Sequence, residues 1–390
     1  MNAEKIVALF CAAVMTLSSA GCSGETAAEI SQTTAVSDTA TNGIREYQPS
    51  SDNVKPLGRA WYSEGELICA YSGTGCEFTA AGKSVKFTIK GDDAARSGNN
   101  DNAARLAVYV DGERVQDIML DEKEKTVTAF EGETEKTAVV SLVKLSESAN
   151  STFSITKIEA EGEIKPTEEK PLYIEFIGDS ITCGYGVDDE DRNHHFSTST
   201  EDCTKAYAYK TAQILDADYS LVCLSGHGII SGYTSNPDKK SASQIMPKYY
   251  DKIGFCYTSD VSDTEWDFRR SPDIIVINLG TNDDSYCNGD PDKQAEFTEA
   301  YVEFIKHIRE KNPDSHILCT LGVMGSGLLR SIRTAVETYT TETGDDKVTA
   351  TPLPQQSESN GIAADWHPTE KTHEKTAEKV AKKIKELLGI

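Results

Sequence analysis

Two apolar runs constrain what this chain can fold into. Leu172-Tyr-Ile-Glu-Phe-Ile177 leads into Gly178-Asp-Ser-Ile-Thr182, and Asp273-Ile-Ile-Val-Ile-Asn-Leu279 leads into Gly280-Thr-Asn-Asp283. Each run has strand length and strand composition, and each ends in a small-residue turn. Tyr219-Ser-Leu-Val-Cys-Leu224 is a further run of the same kind and stops at Ser225-Gly-His-Gly228. In open α/β sheets, ligands bind outside the carboxyl ends of the strands. Three successive strand ends therefore each present polar groups where chemistry is done.

The pattern around these runs divides the chain. From Leu172 onward strands and helices alternate. Asp292 to Lys311 carries Phe297, Tyr301, Phe304, Ile305 and Ile308 as a helical stripe that stops at Asn312-Pro313. His316-Ile-Leu-Cys-Thr-Leu321 reads as the next strand. Thr369 to Leu388 places Ala377, Val380, Ala381, Ile384 and Leu388 on one face of a last helix. This alternation predicts a parallel sheet flanked by helices over residues 172–390. Ahead of it, the runs at 66–71, 84–89, 105–110 and 137–143 are short, alternating and broken by Gly, Asp and Asn. They predict an all-β jelly-roll sandwich over 54–164, with 165–171 as a linker.

Serine, asparagine and histidine in this order suit hydrolysis of an ester, which needs a nucleophile, a base and donors for the oxyanion. Ser180 is the candidate nucleophile and His367, in Asp365-Trp-His-Pro368, the candidate base. Asp365 is the candidate orienter of the imidazole; a backbone carbonyl in that role would leave a Ser–His dyad. The candidate oxyanion donors are the backbone N–H groups of Ser180 and Gly226 and the side-chain amide of Asn282, with Gly228 as the alternative glycine. His194, His195 and His227 rank below His367 as bases, because none has its setting before a terminal amphipathic helix. Asp179 and Asp283 suit turn stabilisation. Trp366 is either core or a platform for a sugar face. No metal or cofactor is expected.

The formal net charge of −24 over 390 residues argues against nucleic acid and anionic membrane surfaces as partners. Lys5 followed by the apolar stretch 6–15 and the small residues Ser19-Ala-Gly-Cys22 has the shape of an export signal over 1–21. Ala20-Gly-Cys22 resembles a bacterial lipobox, so a surface lipoprotein anchored at Cys22 is expected, with simple secretion as the alternative. Residues 22–53, polar and rich in Ser and Thr, read as a flexible tether. Of the ten cysteines, Cys183 and Cys223 read as core residues, while Cys69 with Cys76 and Cys256 with Cys287 are possible bridges.

Gly178-Asp-Ser-Ile-Thr182, Ser225-Gly226, Gly280-Thr-Asn-Asp283 and the terminal histidine resemble the successive blocks of the SGNH/GDSL hydrolases. That family usually has aspartate three residues before the histidine; here Ala364 stands there and the aspartate is two before. This spacing, the sandwich in front, Ser225-Gly-His-Gly-Ile229 and the stretch Phe196-Ser-Thr-Ser-Thr-Glu-Asp-Cys-Thr-Lys-Ala-Tyr207 resemble carbohydrate esterase family 2. The resemblance implies a jelly roll fused to an SGNH esterase domain. It also implies removal of O-acetyl groups from plant polysaccharides such as xylan and glucomannan. Two rival readings stay open: an esterase or lipase for other acyl groups, and a non-catalytic carbohydrate-binding surface protein.

Overall fold

The computed structural model describes residues 43–96 and 101–390. The expected export signal, Cys22 and the tether as far as residue 42 lie outside them.

The N-terminal part is a single curled antiparallel sheet of ten strands, jelly-roll-like in form. The strands are β1 (Arg45–Tyr47), β2 (Lys55–Leu57), β3 (Trp61–Ser63), β4 (Glu66–Cys69), β5 (Gly75–Gly91), β6 (Arg105–Val110), β7 (Glu113–Met119), β8 (Glu124–Lys144), β9 (Phe153–Ala160) and β10 (Ile164–Pro166). Strands β5 and β8 pair along nearly their whole length, with register shifts at Gly82/Ser84 and Val85/Lys86. Such shifts bend a strand. The first half of β5 also pairs with β2 and β10, and its second half with β9. The sheet thus closes over Phe78, Phe87, Leu106, Val140 and Ile155, all buried. It begins earlier than expected: Arg45–Tyr47, placed in the tether by its polar sequence, pairs with β9.

The C-terminal part holds β11 (Tyr173–Gly178), β12 (Asp218–Cys223), β13 (Ile274–Asn278), β14 (His316–Val323) and β15 (Val348–Gln355), all parallel, in the order β12-β11-β13-β14-β15. The helices are α1 (Ser180–Cys183), α2 (Tyr207–Ile214), α3 (Thr281–Cys287), α4 (Pro291–Lys311), α5 (Leu329–Thr343) and α6 (Glu370–Leu388). Alternate strand residues serve the two faces. Ile174, Phe176, Ile274 and Val276 pack with Tyr207 and Ala208 of α2 and Val380 and Ile384 of α6. Ile177, Ile275 and Ile277 pack with Phe297 and Ile305 of α4 and Ile332 of α5. The order reverses between β11 and β13, so the turns after Gly178 and Asn278 lie side by side at the switch point, where such sheets bind ligands.

One buried charge interrupts β11. Glu175 pairs with Arg59 from the sandwich at 3.0 Å, both side chains fully enclosed. The described cysteines, including Cys69, Cys76, Cys256 and Cys287, are buried free thiols rather than bridges.

Candidate active site

Ser180 begins α1 directly after β11. Asp179 caps that turn, its Oδ1 accepting from the Ile181 N–H at 3.0 Å. The Ser180 hydroxyl lies 2.9 Å from Nε2 of His367. Nδ1 of His367 donates to the backbone carbonyls of Ala364 at 3.2 Å and Asp365 at 3.1 Å. Those acceptors fix the tautomer, leaving the Nε2 lone pair to face the serine. Burial lowers the His367 pKa to about 4, the carbonyls opposing only in part, so the ring is neutral at ordinary pH and able to take a proton.

Asp365 differs from its expected role. Its carboxylate does not reach His367 but accepts from the Tyr185 hydroxyl at 2.7 Å, the Phe196 N–H at 3.0 Å and Nδ1 of His195 at 2.9 Å. The cause is local. Asp365 and Trp366 both lie in the left-handed region, at φ 48° and 64°, a conformation non-glycine residues adopt at a cost. The turn brings the Asp365 carbonyl, not its carboxylate, to the imidazole. Burial alone would raise the Asp365 pKa, but the bonds from Tyr185 and His195 outweigh it and hold the carboxyl ionised.

Tyr185 was not singled out by sequence reasoning. Its ring stacks on His367 with centroids 3.9 Å apart while its hydroxyl holds Asp365. The only local signal was its place in Gly184-Tyr185-Gly186, just after the turn that carries Ser180.

The strand ends of β12 and β13 complete the arrangement. Gly226 adopts φ 73°, and among the described residues neither its N–H nor that of Ser180 has a protein acceptor. The Gly228 N–H donates to the Gln244 carbonyl at 3.2 Å, which leaves Gly226 as the available donor. A Cβ on Gly228 would lie 2.4 Å from Asp283 Oδ2, so that glycine serves close packing. Asn282 donates from Nδ2 to the His227 carbonyl at 2.8 Å, with Asp179 Oδ2 at a longer 3.4 Å. Its amide thus joins the turns after β11 and β12. Asp283 gathers the N–H groups of Ile229, Ile230 and Ser231 at 2.7–3.1 Å. Burial pushes Asp179 up to about 7 and Asp283 up to about 6.

The other histidines engage elsewhere: His194 with Asp189, His195 with Asp365, and His227 with the Ser225 carbonyl. Trp366 is 55% exposed, with the Arg192 guanidinium 4.6 Å from its ring centre, so it is rim rather than core. Tyr233, 63% exposed, bonds through its N–H to the Gly226 carbonyl at 2.9 Å.

Two family models match the chain: the GDSL-like lipase/acylhydrolase family over residues 176–375 and the carbohydrate esterase 2 N-terminal domain over 57–168. The cellulase/esterase CelE of Acetivibrio thermocellus is 34% identical over 331 residues, which cover 82% of this chain and 38% of that protein. An acetylxylan esterase/glucomannan deacetylase of Cellvibrio japonicus is 26% identical over 332 residues, 83% of this chain and 86% of that one. A family two carbohydrate esterase from Clostridium thermocellum, solved in complex with cellohexaose, is 30% identical and superposes with a TM-score of 0.75 over 86% of this chain and 99% of its own.

Proposed function

The chain belongs to the GDSL-like lipase/acylhydrolase family, with the two-domain form of the family two carbohydrate esterases, and on that premise we propose that it is a serine esterase removing O-acetyl groups from plant cell-wall polysaccharides such as xylan and glucomannan. The observation that carries this reading is the Ser180–His367 hydrogen bond beside the unengaged N–H groups of Ser180 and Gly226.

In this mechanism Ser180 Oγ attacks the acetyl carbonyl as its proton passes to His367 Nε2. The imidazolium keeps its Nδ1–H on the two backbone carbonyls, which align the ring and ease its charge. The N–H groups of Ser180 and Gly226 stabilise the oxyanion, joined by the Asn282 amide hydrogen that rests on Asp179 at 3.4 Å and turns to the substrate oxygen. His367 then returns that proton to the departing sugar oxygen, which leaves as a hydroxyl. Water, activated by the same imidazole, releases acetate from Ser180. Trp366 and Tyr233 on the rim suit stacking on pyranose faces. The cellohexaose bound by the Clostridium thermocellum relative supports a polysaccharide chain as the ligand.

The chain-length test uses p-nitrophenyl acetate, butyrate and longer esters with wild type and Ser180→Ala. Acetate is expected to turn over fastest and only with Ser180 present. A preference for long acyl chains would remove the deacetylase reading.

Export and lipidation at Cys22 rest on the N-terminal residue pattern alone. Labelled palmitate is expected to enter the wild-type protein expressed in a bacterium, and not Cys22→Ser; labelling that persists in the variant would exclude this anchor.

A further inference from the structure

The loop between β8 and β9 has the sequence Leu145-Ser-Glu-Ser-Ala-Asn-Ser-Thr152. So polar a loop belongs in water, yet Ser146, Glu147, Ser148 and Ser151 are buried. It enters the α/β part as a wedge. The Leu145 carbonyl accepts from the Cys203 N–H, and the Ala149 carbonyl from the Tyr257 N–H, both at 3.0 Å. The Glu147 N–H donates to Glu201 Oε2 at 2.8 Å. Lys144 bends back, donating through Nζ to the carbonyls of Ser146 and Glu147 at 2.7 Å each.

The tip of the wedge reaches the candidate site. Oε2 of Glu147 accepts from the Ser225 N–H at 2.8 Å. The same oxygen lies 4.0 Å from Sγ of Cys183, the last residue of α1. Ser225 directly precedes Gly226, and α1 begins with Ser180. One carboxylate oxygen from the sandwich therefore touches both the loop carrying one oxyanion donor and the helix carrying the nucleophile and the other.

We propose that Glu147 is a positioning residue for ester hydrolysis: by holding the Ser225 N–H it fixes the neighbouring Gly226 N–H for the oxyanion, so the sandwich supplies part of the catalytic geometry. This rests on the esterase reading above. The cost of enclosing the carboxylate argues for a function beyond packing. Burial raises the pKa of both Glu147 and Glu201 and lowers that of Lys144 beside them, so all three groups are enclosed against the preference of their charged forms. An apolar side chain would hold the two parts together without that cost.

The experiment follows p-nitrophenyl acetate turnover and thermal unfolding in the full chain. Glu147→Gln keeps an acceptor oxygen at the same reach and is expected to retain kcat within about three-fold. Removing that acceptor with Glu147→Ala is expected to lower kcat about a hundred-fold, the scale of losing one oxyanion donor, with KM changed far less. Glu147→Asp withdraws the carboxylate by one methylene and is expected to lower kcat at least about ten-fold; it decides the matter if Glu147→Ala does not fold. Folded Ala or Asp variants with near-normal kcat, whatever their melting temperature, would overturn the proposal. Wild-type turnover abolished by Ser180→Ala would show in the same assay that the esterase reading survives such a result.

Discussion

His367 takes its alignment from the peptide backbone. The carbonyls of Ala364 and Asp365 accept its Nδ1–H, while the Asp365 carboxylate braces Tyr185, Phe196 and His195. Asp365→Asn is therefore expected to keep kcat within about ten-fold, because an amide oxygen can still accept from Tyr185 and Phe196. A carboxylate that orients the base costs about 10⁴ in kcat when changed this way, and a loss on that scale would restore Asp365 as the orienter. As the proposed base, His367 must be neutral to act. Since burial depresses its pKa to about 4, kcat/KM is expected to stay level below the usual histidine range and fall only as pH drops through about 4. A limb near 6.5 would contradict the enclosed geometry. Asn282→Ala is expected to lower kcat by about a hundred- to a thousand-fold; near-normal turnover would remove Asn282 from the oxyanion site. Ser180, Gly226, Asn282 and His367 were legible as candidates because each follows a recognisable strand or precedes a recognisable helix. The part taken by Asp365 was not, since it depends on two successive left-handed residues that no local pattern announces.

Strand ends are held in register by buried carboxylates. Asp283 satisfies the N–H groups of residues 229, 230 and 231, and Gly228 leaves room for its carboxylate. Asp283→Ala leaves these donors unpaired at about 1–3 kcal/mol each. The variant is expected to melt lower and turn over more slowly, measured by thermal unfolding and p-nitrophenyl acetate hydrolysis. An unchanged melt would mean the loop holds itself. Elements buried on both faces, β11, β12 and β13, were read nearly to the residue from their apolar runs. The polar middle of β8 was not, because residues 131–137 are exposed and carry no alternation. Glu131, Lys136 and Thr137 are placed by pairing with Ser84, Gly82 and Ala81 of β5, long-range partners that local sequence does not reveal.

The sequence divides the chain into two domains, yet buried polar contacts cross the boundary. Arg59 reaches Glu175 inside the central sheet, and the 145–152 loop reaches the turns after β11 and β12. Arg59→Met leaves Glu175 buried without its partner, a loss of about 3–5 kcal/mol. A single unfolding transition is expected for wild type and variant alike, shifted down in the variant; two separate transitions would show the parts to be independent. The fold class was legible from the change in periodicity near residue 165, but this dependence was not, because Arg59, Glu147 and Glu175 look like surface charges until the parts meet. The most direct test of the molecule's function is acetate release from acetylated xylan and acetylated glucomannan by the purified chain from Cys22 onward and by Ser180→Ala. Release that requires Ser180 is the expected result. A folded wild-type protein that frees acetate from neither polymer would contradict polysaccharide deacetylation.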